Sequence, residues 1–488
     1  MRIRKITAVL GACLVLLAAQ LLYAGDPGDT AVVSGTLGKT LDEYLTGITP
    51  FGFSGALLVA KNGQVVLNKG YGLAVRSSGT KNDAGTIFSV GSITKQFTAA
   101  AILKCEANGK LSVMDPIEKF FPDAPADKRG ITLHNLLTHT SGIVQDGGGD
   151  YEPVGRDEAV KRILALPVEF KPGERFAYSN SGYTLLAAIV ELVSGISYEQ
   201  FLHDSLFIPA GMRWTGYRLP EWKQRTVAHW YVGETDNKTP LERQYPYWFL
   251  IGNGGILSTT MDMYRWHSAL LGESILPGAE KKKLFTPFLN EYAYGWDVID
   301  SPHGLLIQHN GGSDLGNSAE LRRYIDSNAV TMLFCNQFYN GRPLLDAVRG
   351  HIQDMVFGSA VDPPPAIQPN TGGRLDDFAD FYTLSSGGSY SVFASGPNLT
   401  IRATGADADA LLMLPDNIDL LEVNALHESI PKIFSAALRG DYSLLEAAME
   451  NSAKRLEPVK GLLQNQLDQN KERTGAIVSI EAFGTTPS

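Results

Sequence analysis

Ser92 and Lys95 are the two residues whose types and spacing best suit covalent chemistry. A serine hydroxyl is a poor nucleophile at neutral pH and needs a base beside it. On a helix, positions i and i+3 share a face, so these two side chains would be neighbours. Residues 97–103 are apolar almost all the way round, which is typical of a helix buried on every side. Burial lowers the pKa of a lysine, so a neutral amine would be available to accept the Ser92 proton.

Two later segments support this interpretation of a Ser-x-x-Lys pattern that is weak by itself. They are Tyr178-Ser179-Asn180 and His309-Asn310-Gly311-Gly312. With Ser92 and Lys95, these segments resemble the motifs of serine β-lactamases and penicillin-binding proteins, and most closely those of class C β-lactamases, esterases and D-peptidases. The phrases LHNLLTHTSGI (133–143) and GNGGILSTTMDMYRW (252–266) resemble the same family, and the resemblance covers roughly residues 40–355.

The resemblance implies a role for each catalytic residue. Ser92 would attack a carbonyl carbon and form an acyl-enzyme that water later hydrolyses. Tyr178 would be the second proton carrier, and either Tyr178 or Lys95 would take the first proton. The ordinary pKa of tyrosine is near 10, so Tyr178 acts as a base only if a cationic Lys95 lowers that pKa. Asn180 would orient a substrate amide and the lysine together.

The third motif bears on which substrates are accepted. His309 stands where true β-lactamases carry a lysine that pairs with a substrate carboxylate, and a neutral imidazole would weaken selection for anionic substrates. Gly311 and Gly312 have no side chain, so the backbone can lie close to the acyl group. By resemblance, the N–H groups of Ser92 and Gly312 would form the oxyanion hole, in which one lost donor costs roughly 3–4 kcal/mol.

Other chemistries lack their residue patterns in this sequence. It contains no G-x-S-x-G elbow, no H-E-x-x-H and no paired Cys-x-x-Cys, so neither a metal nor a cofactor is expected. A net charge of −10 without basic clusters argues against nucleic-acid binding. His139 is interpreted as a structural hydrogen-bonding residue, and Cys105 and Cys335 as core cysteines.

The N-terminal segment indicates export. Three basic residues precede an apolar run and then small residues, which is the layout of a secretory signal peptide over 1–24. An uncleaved N-terminal anchor is the alternative, because the apolar run approaches the roughly 20 residues that span a bilayer. We therefore expect a periplasmic or extracellular protein whose membrane contact, where it has one, is this segment.

The remaining chain divides by composition. We expect a linker (25–37), a β-lactamase-like catalytic domain (38–359), a Pro/Gly linker (360–373) and a C-terminal accessory region (374–488). The expected fold class is α+β: an antiparallel sheet flanked by helices, an all-helical lobe, and a small β-rich and then helical extension. Local patterns predict a hairpin at Asn62-Gly63, helices over 181–193, 261–271 and 344–357, an irregular region at 144–176, and neighbouring strands at LLIQHNGG and AVTMLFCNQF.

The sequence as a whole predicts an exported serine hydrolase that forms an acyl-enzyme on Ser92. Its expected partners are small-molecule esters or D-amino-acid peptides and amides. Two alternatives stay open. One is a true class C-like β-lactamase, and the other is a penicillin-binding sensor or binding protein that is acylated without turnover.

Overall fold

The computed structural model describes residues 30–222, 225–339 and 342–361, and the strand backbones of 380–383, 389–395 and 398–404. The signal peptide predicted over 1–24 and the helical part predicted for the C-terminal extension lie outside these residues. The chain divides into two compact units, Met1–Ala366 and Ile367–Ser488. Their boundary falls inside the Pro/Gly linker predicted over 360–373.

The strands of the first unit range in length from two to ten residues. In chain order the described strands are β1 (Val32–Val33), β2 (Gly55–Lys61), β3 (Gln64–Tyr71), β4 (Leu73–Val75), β5 (Thr80–Lys81), β6 (Phe88–Ser89), β7 (Tyr231–Val232), β8 (Thr235–Asp236), β9 (Leu257–Ser258), β10 (Asp297–Ser301), β11 (Gly304–Ser313), β12 (Asn317–Tyr324), β13 (Ala329–Cys335), β14 (Gln337–Tyr339) and β15 (Arg342–Pro343).

The main sheet is antiparallel throughout, with strand order β1-β3-β2-β13-β12-β11-β10. The β2–β3 hairpin closes through Asn62 and Gly63, both with positive φ, as the Asn-Gly pair predicts. The hairpin's partner strand β13 comes from the far end of the unit, so residues distant in sequence share the centre of the sheet.

Helices cover both faces of the sheet. The described helices are α1 (Gly35–Ile48), α2 (Thr94–Ala107), α3 (Leu133–Leu137), α4 (Arg156–Ala165), α5 (Asn180–Ser194), α6 (Tyr198–Leu202), α7 (Thr260–Leu271), α8 (Gly278–Leu284) and α9 (Leu344–Phe357). Side chains of α1 and α9 share one core cluster with Leu57 and Val59 of β2. Their neighbours Leu58 and Ala60 point to the other face, where α2, α5 and α7 pack. The predicted α+β class is therefore confirmed.

α2 lies at the centre of the larger core. Every residue from Thr94 to Leu103 is buried, as the apolar run predicts. The helix ends at Ala107 and is followed by the capping residue Asn108 and by Gly109, which has a φ of 69°. Among the described residues, no single helix is long and apolar enough to cross a membrane, although the bent pair Asn180–Ser194 and Tyr198–Phe207 meets that test by length and composition.

Three predictions about the fold are wrong in detail. The stretch predicted as a linker (25–37) contains β1, which pairs with β3, and the start of α1. The region predicted to be irregular (144–176) contains α4, whose side chains Ala159, Val160, Ile163 and Leu164 are buried. The strands β11 and β13 are not neighbours, because β12 lies between them. The core positions predicted for Cys105 and Cys335 are confirmed.

The second unit is described only by three strands. They are β16 (Asp380–Thr383), β17 (Ser389–Ser395) and β18 (Asn398–Thr404), and they pair in sequence order as an antiparallel sheet. The β-rich start that the sequence predicts for the accessory region is therefore present.

Candidate active site

Ser92 lies in a 3-10 turn, Gly91–Ile93, that leads directly into α2. Its side chain is partly exposed, whereas Lys95, one turn later, is fully buried. The Lys95 amine (Nζ) is 3.1 Å from the Ser92 hydroxyl oxygen (Oγ). The spacing of these residues thus brings the hydroxyl of a partly exposed serine into contact with a fully buried amine.

The Lys95 amine has two further partners, each at 2.8 Å: the side-chain oxygen of Asn180 and the main-chain oxygen of Asn253. Burial lowers the pKa of Lys95 to about 7, although the charges of Asp146 and Asp150 act in the opposite direction. The amine is therefore neutral in a substantial fraction of molecules near neutral pH. It is held by oxygen acceptors and stays within reach of the serine.

Tyr178 immediately precedes α5 and hydrogen-bonds the Ser92 side chain. The Lys95 amine lies 4.6 Å from the centre of the Tyr178 ring. Burial raises the pKa of Tyr178, and the hydrogen bond with Ser92 offsets only part of that rise. The condition for Tyr178 to act as a base, a pKa lowered by Lys95, is therefore not met, because desolvation of the phenolate outweighs the favourable contacts. The phenol stays protonated at neutral pH.

Asn180, the first residue of α5, connects Lys95 to the carboxylate of Asp146. Its side-chain amide nitrogen donates to Asp146 at 2.7 Å. Asp146 and Asp150 lie in the loop that precedes α4. The pKa of the Asp150 carboxyl is raised, first by burial and then by the negative charges of Asp146 and Asp314. Carboxylates therefore lie close together on this side of the candidate site.

β11 passes directly beside the turn that carries Ser92. A Cβ atom added to Gly311 would lie 2.3 Å from the Val90 carbonyl oxygen and 2.4 Å from the Ser92 nitrogen. One added to Gly91, whose φ is 51°, would lie 2.3 Å from the Gly312 nitrogen. Only glycines at positions 91 and 311 permit this close approach of the two backbones. As a result, the backbone N–H groups of Ser92 and Gly312 lie where β11 meets the Ser92 turn.

His309 lies on β11 with a side chain only 2% exposed. Its Nε2 is 3.0 Å from the Tyr292 hydroxyl and its Nδ1 is 2.5 Å from the Asn310 carbonyl oxygen. Burial, with the charge of Lys95, lowers the pKa of His309 to about 3. The imidazole is therefore neutral, with Nδ1–H donating to the carbonyl and Nε2 accepting from the phenol.

Sequence reasoning missed three residues that complete this arrangement. Tyr292 contacts His309, Asn253 supplies a carbonyl to Lys95, and Asp146 binds Asn180. The sequence signals at these positions do not specify the contacts: GNGGIL around Asn253 resembles a family motif, and QDGGGD around Asp146 predicts an irregular region. Among the described residues, no group of three or more His, Cys, Asp or Glu side chains is arranged to hold a metal ion.

Comparison with known proteins places these motifs in context. The family model described as Beta-lactamase matches residues 52–353. Penicillin-binding protein 4* of Bacillus subtilis (strain 168) is 28% identical over 72% of this chain and 84% of its own length. The Putative penicillin-binding protein PbpX of the same organism is 36% identical over 56% of this chain and 69% of its own.

Solved structures share the fold. The octameric penicillin-binding protein homologue from Pyrococcus abyssi superposes with a TM-score of 0.57 at 27% identity, over 76% of this chain and 88% of the homologue. The D-amino acid amidase from Ochrobactrum anthropi SV3, complexed with D-phenylalanine, has a TM-score of 0.56 over 66% of this chain and all of the amidase. Its identity is 20%, so that likeness concerns the fold alone. The predicted β-lactamase/transpeptidase-like architecture is confirmed.

Proposed function

Since the chain belongs to the Beta-lactamase family, whose members are serine hydrolases, we propose that it forms an acyl-enzyme on Ser92 and hydrolyses small esters or D-amino-acid peptides and amides. The observation that carries this proposal is the 3.1 Å contact between the Ser92 hydroxyl and a buried lysine amine. A lysine whose pKa is lowered to about 7 has the protonation state that a general base needs at neutral pH.

In the acylation step, neutral Lys95 accepts the Ser92 proton while Oγ attacks the substrate's carbonyl carbon. Negative charge develops on the carbonyl oxygen, and the N–H groups of Ser92 and Gly312 stabilise it. The tetrahedral intermediate then expels the leaving alcohol or amine, which takes a proton from the Tyr178 phenol. The Lys95 ammonium returns a proton to the phenolate, so both residues regain their starting states.

Tyr178 is assigned the role of proton donor and relay because burial raises its pKa. A phenol that stays protonated is poorly suited to take the first proton, whereas Lys95 is neutral in a substantial fraction of molecules. In deacylation a water attacks the ester carbonyl and gives a proton to Lys95, and the Lys95 ammonium returns that proton to the Ser92 oxygen as the acid product leaves. Asn180 orients the lysine and the substrate amide throughout.

The charges near the candidate site favour a neutral or cationic substrate. His309 is neutral, and the pKa of Asp150 is raised by burial and by the negative charges of Asp146 and Asp314 nearby. An anionic β-lactam would approach these carboxylates without a fixed positive charge at position 309. Because relatives of this chain are named as penicillin-binding proteins, acylation by a β-lactam is the second candidate function.

We also propose that the protein is exported, because residues 1–24 have the layout of a signal peptide. The acyl chemistry is assigned to the domain predicted over 38–359, with its start moved back to include β1 and α1. N-terminal sequencing of the mature protein tests the cleavage after Ala24. A chain that retained Met1 at the cell membrane would support the anchor instead.

Labelling with a fluorophosphonate tests the nucleophile. We expect one modified residue, Ser92, when the labelled full-length protein is digested and mapped by mass spectrometry. Ser92→Ala should fold normally and should neither label nor hydrolyse p-nitrophenyl butyrate. More than trace turnover by the folded variant would show that another residue is the nucleophile.

The kinetics of wild-type protein separate a hydrolase from a sensor. Continuous release of p-nitrophenol far beyond one equivalent supports the hydrolase. A burst of one equivalent with no steady phase would support a binding protein that is acylated once, and the hydrolase proposal would then fall.

A further inference from the structure

His139 adopts a backbone conformation that a residue with a side chain rarely takes. It follows α3 with a φ of 55°, in the left-handed region. For residues other than glycine this region is unfavourable by about 1–2 kcal/mol. The surrounding structure therefore holds the residue in place, and such outliers cluster at functional sites.

His139 makes hydrogen bonds to both residues that flank Tyr178 in the chain. The main-chain carbonyl of His139 accepts from the Ala177 N–H at 2.8 Å. Its ring nitrogen Nδ1 accepts from the Ser179 N–H at 3.0 Å. The backbone on each side of the tyrosine is thus fixed by a single residue 39 positions earlier in the chain.

The imidazole also packs on the tyrosine itself. The centre of the His139 ring is 4.2 Å from that of Tyr178, with 33° between the ring planes. Tyr292 packs against the same imidazole at 4.7 Å, and that tyrosine binds His309. The Tyr178 ring therefore has a fixed support behind it while its hydroxyl faces Ser92.

The His139 imidazole can accept the hydrogen bond from the Ser179 N–H only in its neutral form. Nδ1 is an acceptor, so the proton is on Nε2. Nε2 is buried and has no hydrogen-bond partner among the described residues. Burial, with nearby Lys95 and His309, holds the pKa of His139 well below its ordinary value.

We propose that His139 is the positioning residue of Tyr178, fixing the phenol so that it can pass a proton at the Ser92 acyl site. His139 does not touch the reacting atoms, and its effect on the reaction passes through the tyrosine. The proposal rests on the proposed function, yet the two can fail separately. Ser92→Ala decides the nucleophile, whereas the test below asks only whether His139 acts through Tyr178.

A double-mutant cycle tests this. The four proteins are wild type, His139→Asn, Tyr178→Phe and the double variant, because asparagine tolerates a positive φ. The substrate is ethyl butyrate, whose leaving alcohol needs a proton. We expect His139→Asn to lower kcat about 10- to 100-fold, the range expected when a catalytic group is misplaced, with KM within about threefold. In the Tyr178→Phe background the same change should not lower kcat further.

His134→Asn is the matched control. It removes an imidazole from α3 whose partners are Tyr294 and Phe288, and its kcat should stay within a few-fold of wild type. Equal losses from His139→Asn in both backgrounds would overturn the proposal, since the residue would then act independently of Tyr178. If the asparagine variant does not fold, His139→Gly repeats the cycle without backbone strain. Failure of both variants to fold would also overturn the proposal, because His139 would then be needed for the fold itself.

Discussion

Lys95→Met is expected to abolish hydrolysis and to change how stability depends on pH. The wild-type protein buries this amine completely, and the folded state lowers its pKa from 10.5 to about 7. Methionine is of similar length and has no charge to desolvate. It also loses the contacts with Ser92, Asn180 and the Asn253 carbonyl, which lowers stability at every pH, whereas only the ionisation of residue 95 makes the difference from wild type depend on pH. The pH dependence therefore isolates the buried charge.

Its sign follows from which state binds the proton more tightly. Between pH 7 and pH 10.5 the unfolded chain keeps the lysine protonated and the folded chain releases the proton. Stability then rises with pH, by at most about 1.4 kcal/mol per pH unit from this group. With a folded-state pKa of about 7, the rise from pH 6 to pH 9 is about 2–3 kcal/mol. Below pH 7 both states carry the proton, and the folded state bears the whole desolvation penalty.

Urea unfolding of wild type and Lys95→Met at pH 6, 7.5 and 9 measures this. The stability of the variant relative to wild type should fall by that amount as the pH rises, while contributions from other groups cancel. Ser92→Ala keeps the lysine and serves as the control, since its stability should run parallel to that of wild type. If wild type and Lys95→Met change in parallel over this range, the lysine is not a buried base of lowered pKa, and the assignment of Lys95 as general base loses its physical support.

Two substitutions test the remaining roles. Tyr178→Phe should fold and should lower kcat/KM for ethyl butyrate about 10²- to 10⁴-fold. The loss should be smaller for p-nitrophenyl butyrate, whose leaving group needs no proton. A kcat/KM within a few-fold of wild type on both esters would show that Tyr178 is a core residue only. Wild type should prefer neutral esters to nitrocefin, and His309→Lys should raise the ratio of nitrocefin to ester turnover about tenfold, since a hydrogen bond to a charged group contributes roughly 1.5 kcal/mol or more. That gain should shrink at high salt, and a wild type that already prefers nitrocefin by orders of magnitude would favour the β-lactamase alternative.

The parts of the fold that were predicted correctly depend on local patterns. The β2–β3 hairpin follows from Asn62-Gly63, and α2 and α5 follow from apolar spacing and their glycine stops. β12 was not predicted because its charged residues interrupt the apolar pattern expected of a buried strand. Its Glu320 is bound by Arg322 and Arg349, and Arg323 lies over aromatic rings. Such compensation needs partners that a linear pattern does not identify.

The candidate site likewise has features that the sequence predicts and features that depend on tertiary packing. The positions of Ser92, Lys95, Tyr178, Asn180, His309 and Gly311 came from ordered motifs, and the structure brings all of them together. The protonation states did not come from the motifs. Whether Tyr178 or Lys95 is the better base depends on how deeply each is buried and on the carboxylates of a loop near Asn180. Those quantities arise only from tertiary packing.

The order of strands in the main sheet has a consequence for when activity can arise during synthesis. Leu58 of β2 pairs with Met332 of β13, and the Gly91 turn packs on Gly312 of β11. A nascent chain that ends before β11 therefore contains Ser92, Lys95 and Tyr178 but lacks the strand that would complete the site. Contacts between such distant segments also slow folding, because long loops must close first. Acyl transfer would thus begin only after almost the whole unit has been synthesised and has closed its sheet.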